Sequence, residues 1–178
     1  MKLNKIADDV FSFNENNFQF GYDELGKLVE KAKKSTRKRA RICIHNNNES
    51  TLHEMFIAKL NNTYVRPHKN LNKSKSFQLL EGEMDLVIFD NFGNIKDLIK
   101  MSSHGQDSVF FYRLTITCFH SLIIKTDYAI FKETITGPFN NSDTIYAEWA
   151  PLEDDKHKVK IYMNRIVKDI NTFLKVSG

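Results

Sequence analysis

The feature that most constrains this chain is the close succession of short alternating segments between Arg41 and Thr134. Arg41-Ile42-Cys43-Ile44-His45 alternates, Met55 to Leu60 follows, and then Tyr64-Val65-Arg66-Pro67-His68. Phe77 to Phe89 reads as two strands joined at Glu81-Gly82-Glu83, and Asp90-Asn91-Phe92-Gly93-Asn94 is a turn leading into Ile95–Lys100. After a polar loop at Ser102–Ser108, strands resume at Val109–Leu114, His120–Ile124 and Tyr128–Thr134. Roughly eight or nine short strands with turn signals this near one another form the pattern of a sandwich or barrel. No helical stretch separates them, which argues against a parallel sheet built from βαβ units.

The two ends read differently. Residues 1–20 are polar, rich in Asn and Phe and without a clear period, as expected of a loose arm or an edge strand. Asp23 is placed to cap a helix running to Lys34, with Leu25, Leu28, Val29 and Ala32 on one face. Beyond Pro151 the period becomes helical again, and Val159, Met163, Ile166, Val167, Ile170, Phe173 and Leu174 share a face. That helix is expected to cover the β core or to meet a second subunit. The organisation expected is an arm at 1–22, one domain with a leading helix at 23–151, and a C-terminal helix at 152–178.

A chain of 178 residues, 41% hydrophobic and 27% charged, suits one soluble domain with a substantial core. Its two cysteines, Cys43 and Cys118, make no disulfide framework and no finger spacing. The first residues carry no apolar run of signal-peptide length, and no stretch approaches a membrane span, so a cytoplasmic protein with reduced thiols is expected. The formal charge of +4 is concentrated, with Lys31, Lys33, Lys34, Arg37, Lys38, Arg39 and Arg41 close together. Such a run attracts phosphates or nucleic acid. Nucleic acid is not the expected partner, because no aromatic residue is interleaved with the charges.

The segment richest in chemistry is Asn62 to Gly82, in which His68, Asn70, Lys75 and Gly82 recur at fixed spacing. The spacing resembles the first motif of cupins, which runs Gly, His-x-His, Glu, Gly. His120, in Phe119-His120-Ser121-Leu122, is the natural counterpart of the His of the second motif. Further residues narrow the resemblance. Ser35-Thr36-Arg37-Lys38-Arg39-Ala40-Arg41, Tyr64-Val65-Arg66-Pro67-His68, Lys73-Ser74-Lys75-Ser76-Phe77 and Leu80-Glu81-Gly82-Glu83-Met84 appear in order. So do Phe89-Asp90, Glu133, Gly137-Pro138-Phe139 and Ala147-Glu148-Trp149-Ala150-Pro151. Over residues 25–155 the chain resembles the WbuC-type cupin-fold proteins, found among bacterial genes for O-antigen and other surface polysaccharides.

The resemblance implies a mainly β protein, a single cupin-type (jelly-roll) β-barrel with an N-terminal and a C-terminal helix. It implies a metal held by two His of the first motif, a Glu and the later His. His68 and His120 carry over, but Asn70 stands at the second His and Lys75 at the Glu. A divalent ion needs electron-pair donors, whereas a protonated Lys has three donors and no acceptor. The expectation is therefore no cofactor, with a weak or remodelled metal site on His68 and His120 as the alternative, aided by Gln78 or Cys118. Similar barrels pair through sheet edges, so a homodimer is expected.

Freed from metal, His68 and His120 are candidate acid–base groups and Lys75 a candidate anion holder, the catalytic set of a sugar or sugar-nucleotide isomerase or epimerase. Tyr64, Arg66, Asn70, Gln78 and Glu133 are candidate substrate-binding residues. Tyr64 and Arg66 share side-chain parity with His68 if the strand is regular. The alternatives are a sugar-binding or regulatory module without turnover, or a metalloprotein with non-standard ligands. The two histidines could be buried residues satisfied by backbone. Lys75 could face outward after a one-residue slip. Arg66 could hold a phosphate or pair with Glu81 or Glu133, and Glu133 could pair with an interior Arg. Cys118 could face the pocket or be a small buried hydrophobe. His45, His53, His104 and His157 are read as surface or strand-end residues.

Overall fold

Alternation along the central strands divides their side chains between two destinations. In the segment Glu83–Phe89, Met84, Leu86 and Ile88 join one buried cluster, while Val87 and Phe89 join another. A strand buried on both faces must be covered on both faces. The computed structural model, which describes residues 3–13, 17–105 and 109–177, does so with two sheets and two helices. Residues 1–2 and 14–16 of the arm, 106–108 of the polar loop, and 178 lie outside the described residues.

The elements are β1 (Asn4–Ala7), β2 (Val10–Ser12), α1 (Tyr22–Lys34), β3 (Arg39–Cys43), β4 (Leu52–Leu60), β5 (His68–Asn70), β6 (Lys75–Glu81) and β7 (Glu83–Phe89). They continue with β8 (Ile95–Ser102), β9 (Phe111–Leu114), β10 (Phe119–Ile124), β11 (Tyr128–Thr136), a short 3₁₀ turn at Asn141–Asp143, β12 (Thr144–Tyr146) and α2 (Lys156–Ser177). One sheet runs β1-β2-β3-β4-β11-β6-β9 and the other β12-β5-β10-β7-β8. The eight strands from β4 to β11 divide between the sheets in the order of a double-sheet jelly roll, alternating except at the β7–β8 hairpin. They do not close into a barrel. Among the described residues the sheets share no ladder, and only an isolated bridge from Met101 to Val109 spans the seam between β8 and β9.

The core lies in three layers. Between the sheets sit Met55, Ile57, Phe77, Leu79, Met84, Leu86, Leu122 and Phe131. Leu25, Leu28, Val29 and Ala32 of α1 pack on the outer face of the larger sheet, against Ala40, Ile42, Ala58 and Ile130. Tyr162, Ile166 and Ile170 of α2 pack on the outer face of the smaller sheet, against Val87, Phe119 and Ile123. Val167 is exposed, so the apolar stripe of α2 is narrower than its sequence suggests. The helix start also moves: Gly21 is the N-cap of α1, its N–H donating to the Glu24 carboxylate at 3.1 Å, and Asp23 lies in the first turn.

The arm is ordered as two strands. β2 pairs in parallel with β3 across the α1 connection, the one parallel ladder among the described residues. Two glycines fix turns. Gly82 joins β6 to β7 at φ +84°, with the Tyr128 carbonyl 2.4 Å from where a Cβ would stand. Gly93 turns at φ +90° beneath Trp149. Trp149 also packs on Phe89, Phe119 and Tyr162, so this residue anchors α2 to the sheet. Among the described residues no helix is long and apolar enough to cross a membrane.

Candidate functional site

Inward-facing residues at one end of the sandwich are polar where the rest are apolar. In β6, Lys75 shares a face with Phe77 and Leu79, and it is only 6% exposed. In β10, His120 shares a face with Leu122 and Ile124. These residues line a cavity of about 830 Å³ that is walled by both sheets, the arm and the segment after β11. Its lining holds Arg37, Arg39, Arg41, Lys59, Arg66, Lys73 and Lys75 against Asp9, Glu133, Asp143 and Glu153. The cations outnumber the carboxylates, an imbalance that would attract an anion.

His68 and His120 face each other across β5 and β10 as register partners, their rings 4.6 Å apart. Each ring is oriented in the same way. Nδ1 of His68 lies 3.0 Å from the Arg66 carbonyl, and Nδ1 of His120 lies 3.1 Å from the Cys118 carbonyl. A carbonyl only accepts, so each Nδ1 carries the proton and each Nε2 keeps a lone pair. Lys75 Nζ donates to Nε2 of His120 at 3.4 Å and lies 3.7 Å from the Glu133 carboxylate. Burial, then the Lys75 charge, pushes the His68 imidazole down to about 4 and His120 well below its ordinary range. Both are neutral at pH 7.

A cupin-type metal would need the two Nε2 lone pairs and a carboxylate. The Lys75 ammonium stands among those groups and already bonds one of the nitrogens. Asn70 adds only an amide: its Nδ2 donates to Thr144 Oγ1 at 3.0 Å, and its buried Oδ1 has no partner among the described residues. Among the described residues no cluster of three or more His, Cys, Asp or Glu side chains can hold a metal ion. This donor set does not fit a divalent cation.

The remaining candidates divide. Arg66 lines the cavity and pairs with neither Glu81 nor Glu133. It donates to the Ala147 carbonyl at 2.9 Å, lies over the Tyr146 ring, and leaves a buried Nε without a partner among the described residues. Glu133 faces inward beside Lys75, not an arginine. Tyr64 is not in the cavity wall. It is buried under α2, its hydroxyl donating to the Pro151 carbonyl at 2.9 Å. The parity that links it to His68 fails because β5 begins only at His68 and the preceding residues are irregular. Gln78 is exposed, three residues beyond Lys75 and on the opposite face of β6. Cys118 lies outside the cavity lining, and burial pushes its thiol up.

Two groups escaped sequence reasoning. His45 and His53 stand at strand ends, as expected, but they come together: their rings stack at 4.0 Å in the cavity wall, and His53 is buried. Lys59 is a buried lysine on the inner face of β4. Its parity with Met55 and Ile57 was the available signal. The basic run after α1 is partly consumed in ion pairs. Arg37 and Arg39 both bind Asp9 of the arm and Glu153 ahead of α2, at 2.6–3.4 Å.

A two-sheet jelly roll with a cation-lined cavity between its sheets is the class that this fold and site define. Residues 20–101 match the model of a domain of unknown function, DUF6016. No curated protein matches the chain. In structure it is similar to a protein from Shewanella oneidensis, at 7% identity and TM-score 0.48 over 55% of this chain and 63% of that one. It is similar to the Schizosaccharomyces pombe Cnp3 cupin domain, at 11% and 0.44 over 56% and 64%. It is also similar to the capsular polysaccharide assembling protein CapF of Staphylococcus aureus, at 13% and 0.48 over 56% and 27%. The matched region spans less than two thirds of each of those chains. At these values the likenesses carry no argument about chemistry, which rests on the cavity itself.

Proposed function

We propose that this is a cupin-type protein of sugar or sugar-nucleotide metabolism, and that its inter-sheet cavity binds an anionic sugar without a metal. The observation that carries this reading is the cation-rich cavity, in which Lys75 of the larger sheet meets His68 and His120 of the smaller one. The resemblance to WbuC-type proteins supports the surface-polysaccharide setting. The reaction that suits these groups is isomerisation or epimerisation. Nε2 of His68 or His120 takes the proton next to a carbonyl, Lys75 and Arg66 hold the developing enolate oxygen, and the proton returns to carbon.

The depressed histidines favour a second reading, binding without turnover. An imidazole held down to about 4 is a weak base at pH 7 unless an anionic ligand raises it. One experiment separates the two. A panel of sugar phosphates and nucleotide sugars is screened by thermal shift, and each stabilising ligand is then incubated and analysed by mass spectrometry and solvent deuterium incorporation. Deuterium uptake that His68→Ala and His120→Ala abolish supports the isomerase. Stabilisation with no exchange supports the binding module, and no stabilisation by any member of the panel overturns both.

A further inference from the structure

Lys59 is 8% exposed, lines the cavity, and has no hydrogen bond or ion pair among the described residues. Other cations around it are matched: Arg39 has Asp9 and Glu153, Lys73 has Asp143, and Lys75 has Glu133. The backbone makes the isolation of Lys59 more costly. Arg39 sits directly opposite it in the β3–β4 register, and like charges so placed repel. Arg41, two residues along β3, also lines the cavity and makes no ion pair among the described residues. A buried ammonium facing the cavity, flanked by the exposed and unpaired Arg41, has no bonded counter-ion among the described residues.

We propose that Lys59 and Arg41 form a phosphoryl subsite, which takes the phosphate of a phosphorylated or nucleotide-linked sugar while the sugar reaches the Lys75–His120 wall. This rests on the reading of the cavity as an anionic-sugar site and adds where the anion is held. The position is apart from the histidines, on β3 and β4 of the larger sheet, whereas His68 and His120 come from β5 and β10 of the smaller one. A ligand spanning both needs charge at one end and reactive or hydroxyl oxygens at the other.

Burial pushes the Lys59 ammonium down to about 8. The charged groups around it are Arg39 and Arg41 on β3, Arg37 before it, Glu133 on β11, Glu153 ahead of α2 and His68 on β5. A phosphate bound beside Lys59 restores the charged form, so binding near pH 8 takes up protons.

The test is titration calorimetry at pH 8 in two buffers of different ionisation enthalpy, with inorganic phosphate, glucose 1-phosphate and UDP-glucose as probes. Wild type is expected to bind a phosphorylated probe with uptake of about half a proton, and Lys59→Met to lose about tenfold or more in affinity together with the uptake. Lys75→Met is expected to weaken inorganic phosphate less than Lys59→Met does. Unchanged affinity in Lys59→Met, phosphate binding lost only in Lys75→Met, or no saturable binding of any probe overturns the subsite. If Lys59→Met does not fold, Arg41→Gln decides: a severalfold loss for phosphate supports the subsite and unchanged affinity overturns it. Phosphate binding that depends on Lys59 with no preference for the two sugar probes keeps the subsite and removes the sugar reading. Sugar-probe binding indifferent to Lys59 does the reverse.

Discussion

Lys75 Nζ lies 3.4 Å from Nε2 of His120, on the ring nitrogen left free when Nδ1 donates to the Cys118 carbonyl. The residue that departs most from the expected metal-binding pattern is thus bonded to one of the two residues that keep it. The lysine fixes His120 as a neutral acceptor and lowers His68 as well.

Replacing Lys75 by Met removes that charge and keeps the length of the side chain. Both imidazoles are expected to rise, and both remain below 6.5, because burial is the larger cause of their depression. Imidazole proton shifts followed by NMR titration measure this directly. Unchanged titration curves would show that the contact is absent in solution.

The His68 shift also sets the acid stability. Between about 4 and 6.5 the unfolded chain binds more protons at this position than the folded one, so stability rises with pH across that window. The contribution is fully present above 6.5 and is lost as the pH falls towards 4. Its size is on the order of 3 kcal/mol. Urea denaturation at pH 7 and pH 5 is expected to show wild type losing more than His68→Gln, and equal losses would refute the shift.

Restoring donors is expected to restore the ion. Asn70→His with Lys75→Glu removes the ammonium and completes a set of three imidazoles and a carboxylate. Mass spectrometry of protein purified without chelator is expected to find little metal in the wild type and about one ion per chain in the double variant. One tightly held ion in the wild type would refute the assignment of Lys75.

Two neighbouring tyrosines, Tyr64 under α2 and Tyr162 on it, are expected to respond in opposite directions. Tyr64 donates to the Pro151 carbonyl, whereas the hydroxyl of Tyr162, whose ring centre is 5.9 Å away, is buried without a partner among the described residues. Tyr64→Phe removes a hydrogen bond and is expected to cost about 1 kcal/mol, while Tyr162→Phe removes a desolvated hydroxyl and is expected to be neutral or stabilising. Chemical denaturation followed by Trp149 fluorescence reads both, and loss of stability in Tyr162→Phe would contradict the packing described.

Strand alternation and turn chemistry made the centre of the fold legible. Glu81-Gly82-Glu83 does join two strands, because Gly82 needs a positive φ that the sequence announces. The ends were less legible. β1, β2 and β12 are three or four residues long, too short for a period to register, and their pairing is decided by partners distant in sequence. Within the site, His68, His120, Lys75, Asn70, Arg66 and Glu133 all reach the cavity, but Tyr64 and Gln78 do not. Both failures are failures of parity. Counting by twos holds only inside a strand, and Tyr64 precedes β5; Gln78 is an odd number of residues from Lys75. Lys59 lies inside the apolar run Met55–Leu60, and its inward direction follows only from its parity with Met55 and Ile57.

The paired carboxylates at the rim have a further consequence. Asp9 belongs to the turn between β1 and β2, Glu153 to the approach to α2, and both are held by Arg37 and Arg39 at the cavity wall. A ligand anion drawn to that rim competes with them for the same guanidinium groups. Occupancy and the tethering of the two chain termini are then thermodynamically linked, each weakening the other by the same factor. Protection of residues 3–12 and 153–160 against amide exchange becomes a gauge of what the interior holds.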